Sequence, residues 1–189
     1  MKTLILMFHP DIARSKTNAA LAAAARTVPG VEVVDMQTLY PEGRLDLFSD
    51  GAVEAERLLS ADRIVLQFPV QWYASPPLLK AWIDAVMTRM YYVAYEAGGS
   101  RLEGTPIMIA ATAGNVPEAY GPDGQNLLPL ADLLNPLRAM AYRCRLPWAE
   151  PFLVYRAGKL DETELAEAAR NYVETLRNWI EASPGTIAA

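Results

Sequence analysis

The 189-residue sequence predicts an α/β protein in which helices cover both faces of a five-stranded parallel sheet. Five short apolar runs alternate with segments of helical periodicity along the chain. The runs are continuously apolar, as is typical of parallel strands that are buried on both faces. No repeat, low-complexity tract or long linker interrupts the sequence, which indicates one domain over residues 1–189.

The predicted strands follow directly from the apolar runs, since each run is short and bounded by turn residues. They cover residues 3–8, 31–35, 63–68, 106–111 and 151–155. Strands joined by helical crossovers lie parallel, and this pattern predicts the strand order 2-1-3-4-5. In that order, the ligand crevice lies beyond the carboxyl ends of strands 1, 3 and 4.

The predicted helices cover residues 18–26, 52–60, 77–87, 125–141 and 162–181. The third begins at Pro77, where the missing N–H of proline costs nothing. Pro129 and Pro136 are expected to break or kink the fourth. Asp161 and Glu164 have the spacing of a capping pair at the start of the last.

Composition excludes several classes of function. The net charge is −5 and the pI about 5.0, which disfavours electrostatic binding to nucleic acid. The chain has one cysteine, Cys144, and one histidine, His9, so neither a disulfide framework nor a cysteine- or histidine-rich metal site is expected. The apolar N-terminus is too short for a signal peptide, and no run reaches membrane-span length, which favours a cytoplasmic protein.

The segment after strand 3 is the most informative in the chain. It has the sequence QFPVQWYASPP over residues 67–77, and its cofactor-site candidates are Pro69, Val70, Gln71, Trp72 and Tyr73. A surface turn normally uses Gly, Asn, Asp and Ser, whereas this one uses aromatics, prolines and glutamines. Such a loop suits a flat ligand with polar edges, or else its aromatics only cover the core.

The segment after strand 1 combines hydroxyls, an amide and basic side chains before a helix. The candidates are His9, Arg14, Ser15, Thr17 and Asn18. A helix N-terminus offers free N–H groups and a favourable dipole to an anion, so a phosphate is the expected ligand. Alternatively, Thr17 or Asn18 simply caps the helix, and His9 is an ordinary core histidine.

The segment after strand 4 consists of Thr112, Ala113, Gly114 and Asn115, followed closely by Tyr120. Small residues let backbone amides approach a ligand closely, although an ordinary turn has the same composition. Three such segments at the three strand ends selected by the topology argue for one ligand site.

These segments resemble the flavodoxin-like NAD(P)H:quinone oxidoreductases, and the resemblance runs from residue 2 to about residue 155. It rests on His9-Pro10 with Ser15 and Asn18, on the QFPVQWY segment, and on Thr112-Ala113-Gly114 with Tyr120. The size of the chain fits the short bacterial members, which include ancillary proteins of glutathione-gated potassium efflux systems. The resemblance implies a flavodoxin-like three-layer sandwich, a cytoplasmic flavoprotein and a homodimer.

The resemblance also implies cofactors and roles. The expected flavin is FMN, with FAD as the alternative, and NAD(P)H is the electron donor for a quinone-like acceptor. Ser15, Thr17 and Asn18 would hold the phosphate beside His9 and Arg14. The segments 69–73 and 112–115 would border the ring, and Tyr120 would lie near its reactive face as a catalytic candidate. No metal is implied.

Two departures from the family pattern bear on these roles. Ala113 and Asn115 replace a threonine and a glycine of the usual Thr-Thr-Gly-Gly, and no histidine follows Tyr120 to form a proton relay. A second interpretation is a flavin-binding regulatory protein that docks on a membrane transporter. A third interpretation is an electron carrier of the flavodoxin type, which the aromatic segment after strand 3 disfavours.

The segment Met90-Tyr91-Tyr92-Val93-Ala94-Tyr95 is dense in aromatics. Such a segment suits an interface or a lid, and equally it suits local core packing. The homodimer implied by the resemblance favours the interface.

Overall fold

One parallel sheet organises the protein, as a computed structural model shows for residues 1–182. The strands are β1 (Thr3–Met7), β2 (Val31–Asp35), β3 (Arg63–Pro69), β4 (Ile107–Thr112) and β5 (Phe152–Val154). Their order is β2-β1-β3-β4-β5 and every pairing is parallel, which confirms the predicted fold class. Residues 183–189, the last part of the predicted domain, lie outside the described residues.

Helices flank the sheet in the order α1 (Lys16–Ala25), α2 (Met36–Leu39), α3 (Asp50–Leu59), α4 (Pro77–Thr88), α5 (Gly99–Leu102), α6 (Asn135–Arg143) and α7 (Glu162–Ala182). The short helices α2 and α5, and a π-helical turn at Arg89–Val93, were not predicted. The predicted helix over 125–141 was wrong in its first half. Pro136 occupies the first turn of α6 and does not interrupt it, and the preceding residues form loop and a 3₁₀ turn.

The two faces of the sheet carry separate hydrophobic cores, because successive strand side chains point to opposite faces. Ile5 and Val65 face α1 and α7, where they meet Leu21 and Leu176. Leu4, Leu6, Ile64 and Leu66 face the side of α3, α4 and α6. The three-layer sandwich predicted from the continuously apolar strands is therefore confirmed. No helix within residues 1–182 combines the length and apolar character needed to cross a bilayer.

The aromatic segment after α4 is divided between the core and the surface. Met90 and Tyr91 are buried, and the Tyr91 hydroxyl donates to the Cys144 carbonyl oxygen at 2.8 Å. Tyr92 and Val93 are exposed, and the Arg143 guanidinium lies 5.7 Å from the Tyr92 ring centre. Two of the six residues thus belong to the core and three are exposed at the surface.

A buried carboxylate joins the helices on the second face. Glu54 of α3 is fully buried and accepts hydrogen bonds from the Trp82 indole at 3.2 Å, the Tyr40 hydroxyl at 2.9 Å and the Arg57 Nε at 3.2 Å. Burial, followed by this bond to Glu54, raises the pKa of Tyr40, so the phenol remains protonated. Buried charges are tolerated when they are paired and hydrogen-bonded in this way.

We therefore expect Glu54→Ala to destabilise the protein by about 3–5 kcal/mol, because it leaves Arg57 and the Trp82 N–H without an acceptor. Urea unfolding followed by circular dichroism measures the change. Glu56→Ala, at an exposed position of the same helix, is the control and should change stability by less than about 0.5 kcal/mol. Equal losses in the two variants would contradict a structural role for the buried carboxylate.

Candidate functional site

A cavity of about 340 Å³ opens where β1, β3 and β4 end. Its walls come from the three segments selected from the sequence and from one more segment after β5. The lining residues are His9, Arg14, Ser15, Lys16, Thr17, Asn18, Pro69, Val70, Thr112, Ala113, Gly114, Ala157 and Gly158. We call this space the polar cavity. Its volume is at the lower end of the range for small-molecule sites, roughly 300–1,000 Å³.

The N-terminus of α1 points at the polar cavity. Ser15 caps the helix, since its Oγ accepts from the Asn18 N–H at 3.1 Å, so the alternative of a cap by Thr17 or Asn18 was wrong. The first N–H groups of a helix have no intrahelical partner, and here they face a space bordered by Arg14 and Lys16. Free N–H groups, the helix dipole and two cations make this end of the cavity favourable for an anion.

Thr17 and Asn18 line the cavity, but their polar ends are engaged within the protein. The Thr17 hydroxyl donates to the Ala157 carbonyl oxygen, which ties α1 to the segment after β5. The Asn18 Nδ2 donates to the Thr112 Oγ1 at 2.9 Å. These two side chains therefore hold the walls of the cavity together, and Ser15 is the side chain better placed to meet a ligand.

A buried polar network lies directly beneath the cavity. The Gln67 Nε2 donates to the Asn18 carbonyl oxygen at 3.0 Å, and the Tyr172 hydroxyl donates to the Gln67 Oε1 at 3.3 Å. Gln67, Asn18, Thr112 and Tyr172 are each at most 2% exposed. Burial raises the pKa of Tyr172, so its hydroxyl keeps its proton. The network connects α1, β3, β4 and α7 behind the ligand-facing surface. We call it the Gln67 network.

His9 follows β1 and borders the cavity in its neutral form. Burial lowers the pKa of His9 below its usual value, against the opposing effect of Asp11. The Asp11 N–H donates to Nδ1 of the ring at 3.1 Å, so the neutral tautomer carries its proton on Nε2. His9 is thus a hydrogen-bond donor through Nε2 at neutral pH and not a fixed positive charge.

The segment over residues 67–77 begins with three residues, Gln67, Phe68 and Pro69, that belong to β3. Gln67 and Phe68 are fully buried in β3, so the loop proper starts at Val70. The Val70 N–H donates to the Thr112 carbonyl oxygen at 2.8 Å. This bond brings Pro69 and Val70 to the cavity wall beside the end of β4.

The next four residues form a tight turn with an unusual composition. Gln71 and Ala74 exchange backbone hydrogen bonds of 2.9 and 3.0 Å, while Trp72 and Tyr73 have φ values of 45° and 64°. Two central residues with positive φ correspond to a type I′ turn, which normally contains Asn and Gly. Trp72 is nevertheless 93% exposed, so core packing does not account for the choice of tryptophan. Gln71, Trp72 and Tyr73 lie beyond the lining of the polar cavity.

Asn115 and Tyr120 also lie outside the cavity lining. The Asn115 carbonyl oxygen accepts from the Arg156 N–H at 3.0 Å, which joins the segments after β4 and β5. The Tyr120 ring lies 5.6 Å from the Tyr155 ring, centre to centre. Burial raises the pKa of Tyr120, so its hydroxyl is neutral at physiological pH and can donate a hydrogen bond.

Sequence reasoning missed the contribution of the segment after β5. Ala157 and Gly158 line the cavity because β5 pairs with β4, so the ends of the two strands are neighbours. The predicted strand order already placed strand 5 beside strand 4, so this contribution could have been predicted. A Cβ atom added to Gly114 or to Gly158 would meet no described atom within 4 Å, and neither residue has a positive φ. Backbone conformation and packing do not require glycine at either position.

A second cavity, of about 310 Å³, lies between α4 and α6. Its lining is mainly apolar and includes Val70, which also lines the polar cavity. The other lining residues are Phe68, Tyr73, Ala74, Ser75, Lys80, Ile83, Leu133, Leu134, Pro136, Leu137 and Met140. We call this space the apolar cavity. No pattern in the sequence predicted this cavity.

Comparison with known proteins defines the class of protein. Residues 1–176 match a family described as having a flavodoxin-like fold, and the chain belongs to that family. This confirms the resemblance seen in the sequence. A relative from Bacillus subtilis (strain 168), the uncharacterized NAD(P)H oxidoreductase YdeQ, is 37% identical over 184 residues, which cover 97% of this chain and 90% of the relative.

Three solved structures extend the comparison. General stress protein 14 of Treponema denticola, in complex with FMN, is 29% identical with a TM-score of 0.80, over 97% of this chain and 100% of its own. An NADPH-quinone reductase of P. pentosaceus is 27% identical with a TM-score of 0.77, over 93% and 97%. A protein described as a thermophilic tryptophan halogenase of Streptomycin violaceusniger is 36% identical with a TM-score of 0.82, over 92% and 97%.

The strained turn yields a prediction that needs no ligand. Because the Trp72 side chain is exposed while its backbone is left-handed, we expect Trp72→Gly to stabilise the protein by about 0.5–1 kcal/mol. Thermal unfolding measures the change. Ala74→Gly, in the same turn but with ordinary φ, is the control and should destabilise by a similar amount. Destabilisation of equal size in both variants would show that the turn carries no strain.

Proposed function

We propose that this protein is an FMN-dependent NAD(P)H:quinone oxidoreductase. The observation that carries the proposal is the polar cavity, which joins an anion-binding helix end to walls of small residues at the switch point of the strand order. The names of the relatives support it, since they include an NAD(P)H oxidoreductase, an NADPH-quinone reductase and an FMN complex.

The donor set at the helix end fits the phosphate of FMN. The Ser15 hydroxyl, the first N–H groups of α1, and the side chains of Arg14 and Lys16 would hold it. Charge-assisted hydrogen bonds of this kind are about twice as strong as neutral ones. His9 would contribute a neutral Nε2–H donor beside them. Thr17 and Asn18 would act through the walls that they hold in place.

The space in the cavity fits the remainder of the cofactor. Gly114 and Gly158 leave open volume where a side chain would otherwise stand, on the walls formed after β4 and β5. Pro69 and Val70 would border the ring, and the turn formed by Gln71, Trp72 and Tyr73 would cover its edge. Thr112 and Ala113, whose carbonyl oxygens already accept from Val70 and Ala157, would shape the wall on the other side, and Asn115 would offer its N–H. FMN is favoured over FAD because general stress protein 14 of Treponema denticola, a similar structure, is in complex with FMN.

When bound, FMN accepts a hydride from NAD(P)H and transfers two electrons to an acceptor, so the hard chemistry belongs to the cofactor. The protein supplies position and electrostatics. Backbone N–H groups of the segments after β3 and β4 would stabilise negative charge that develops at the ring edge. Tyr120, neutral and in contact with Tyr155, would orient the acceptor or donate a hydrogen bond to it.

A homodimer is part of the proposal. Tyr92 and Val93 are 73% and 51% exposed on the π-helical turn, beside Arg143. Aromatic residues and arginine are enriched at protein interfaces. Docking on a membrane transporter, the alternative role, remains a prediction.

Direct binding and turnover test the function. We expect apo-protein to bind FMN below about 100 μM and at least about tenfold more tightly than riboflavin, because the phosphate contacts contribute about 1.5–3 kcal/mol each. The FMN-loaded protein should oxidise NADH or NADPH with a benzoquinone as acceptor. Calorimetry and stopped-flow absorbance measure the two properties. Binding without turnover would support the regulatory role, and failure to bind FMN and FAD would refute a flavoprotein altogether.

The open glycines give a sharper test of where the flavin lies. We expect Gly114→Val and Gly158→Val to weaken FMN binding at least about tenfold, because the added methyl groups would enter the polar cavity. Gly121→Val is the control, since its Cβ also meets no described atom within 4 Å but the residue lies outside the cavity lining. Unfolding midpoints identify any variant that loses affinity by losing structure. Unchanged FMN affinity in all three variants would place the flavin elsewhere.

A further inference from the structure

We propose that the apolar cavity holds the alkyl or isoprenoid substituent of a lipophilic quinone whose ring stacks against the flavin proposed for the polar cavity. The inference rests on the proposed function and adds the class of acceptor. It starts from a cavity that the flavin-binding segments do not explain, between the start of α4 and the start of α6.

The floor of the apolar cavity belongs to the hydrophobic core. Phe68, Leu134 and Leu137 are 1%, 2% and 7% exposed, so the cavity reaches down to fully packed residues. Ile83 and Met140 form half-buried walls from α4 and α6. A solvent-filled space over such a lining favours an apolar occupant, since removing apolar surface from water is favourable.

Charge argues against an anionic occupant. Of the described residues that line the apolar cavity, Lys80 is the charged one, and its Nζ lies 2.6 Å from both carboxylate oxygens of Asp84. The ammonium group is therefore already compensated. Phosphates and carboxylates find their cations instead at the polar cavity, beside Arg14 and Lys16.

Continuity with the flavin site identifies the occupant as part of the acceptor. Val70 lines both cavities, and its N–H is fixed by the bond to the Thr112 carbonyl oxygen at 2.8 Å. Tyr73 forms part of the apolar cavity while its hydroxyl donates to the Asn126 Oδ1 at 3.3 Å, which ties this wall to the segment after β4. A quinone ring stacked against a flavin in the polar cavity would direct its apolar chain past Val70 into the apolar cavity.

The size of the cavity sets the expected length of the chain. A volume of about 310 Å³ corresponds to about ten groups of the size of a water molecule or a methylene. Two isoprene units would fill it, and a heptyl chain would occupy about seven tenths of it. Each methylene removed from water improves affinity by about threefold to fourfold, so chain length has a measurable effect.

The test compares kcat/KM for 2-heptyl- and 2-methyl-1,4-benzoquinone in the FMN-loaded protein. We expect the heptyl compound to be favoured at least about thirtyfold. Ile83→Phe and Met140→Phe, which fill the cavity, should reduce the preference to below about threefold. Leu59→Phe, a half-buried leucine of α3 outside the cavity, is the control and should retain the preference. Equal preferences in filled and control variants would overturn the proposal.

A measurement without turnover separates this proposal from the proposed function. 4-Heptylphenol, which accepts no electrons, should shift the methyl resonances of Ile83, Leu137 and Met140 saturably, and 4-methylphenol should not. Absence of shifts in the wild-type protein would overturn the proposal, including the case in which a second copy of the chain covers the cavity. If the wild-type protein shows the shifts but reduces no quinone, the acceptor role fails together with the proposed function.

Discussion

The Gln67 carboxamide is the constraint on which the ligand-binding edge of the sheet depends. A primary amide in the centre of a sheet has to satisfy both its donors and its acceptor, because an unsatisfied buried polar group is costly. Gln67 does so by donating to Asn18 at the start of α1 and accepting from Tyr172 of α7. Asn18 in turn donates to Thr112 at the end of β4. Helix α1, which borders the end of the cavity favourable for an anion, and the end of β4 are thus both attached to β3 through Gln67 and Asn18.

This arrangement explains why the loops after β1, β3, β4 and β5 are held closely together at the carboxyl edge of the sheet. Closer to the surface, backbone bonds from Val70 to Thr112 and from Arg156 to Asn115 repeat the connection, as does the bond from the Thr17 hydroxyl to the Ala157 carbonyl oxygen. A cavity whose walls are joined pairwise in this way is formed before any ligand arrives. Preorganised sites lose less free energy on binding, since fewer groups remain to be ordered.

At several positions around the site, stability alone does not explain the type of residue. Trp72 and Tyr73 adopt left-handed backbone conformations that Asn and Gly would adopt at lower cost. Gly114 and Gly158 stand where any small side chain would be tolerated by the rest of the protein. Local conflicts of this kind concentrate at functional sites, where the structure gives up some stability for shape. Gly114 and Gly158 border the polar cavity and Tyr73 borders the apolar cavity, so these residues mark the two spaces proposed for ligands.

Periodicity and composition determined the fold. Buried parallel strands are continuously apolar, so β1 to β5 were recognised within one or two residues, and the handedness of crossovers then restricted the strand order. The short helices α2 and α5 and the π-helical turn were not predicted, because segments of four or five residues are too short to show a periodic pattern. Pro136 was misjudged, since proline at the first turn of a helix and proline inside one have the same appearance in sequence.

The sequence by itself determined which segments border the polar cavity, because strand ends are fixed by topology. Which atoms of those segments are free to bind was decided only in three dimensions. Thr17 and Asn18 have the composition of phosphate ligands, yet their hydrogen-bonding groups are used by Ala157 and Thr112, which are distant in sequence. The apolar cavity likewise depends on how α4 packs beside α6, and side-chain packing between distant elements leaves no periodic trace in the chain.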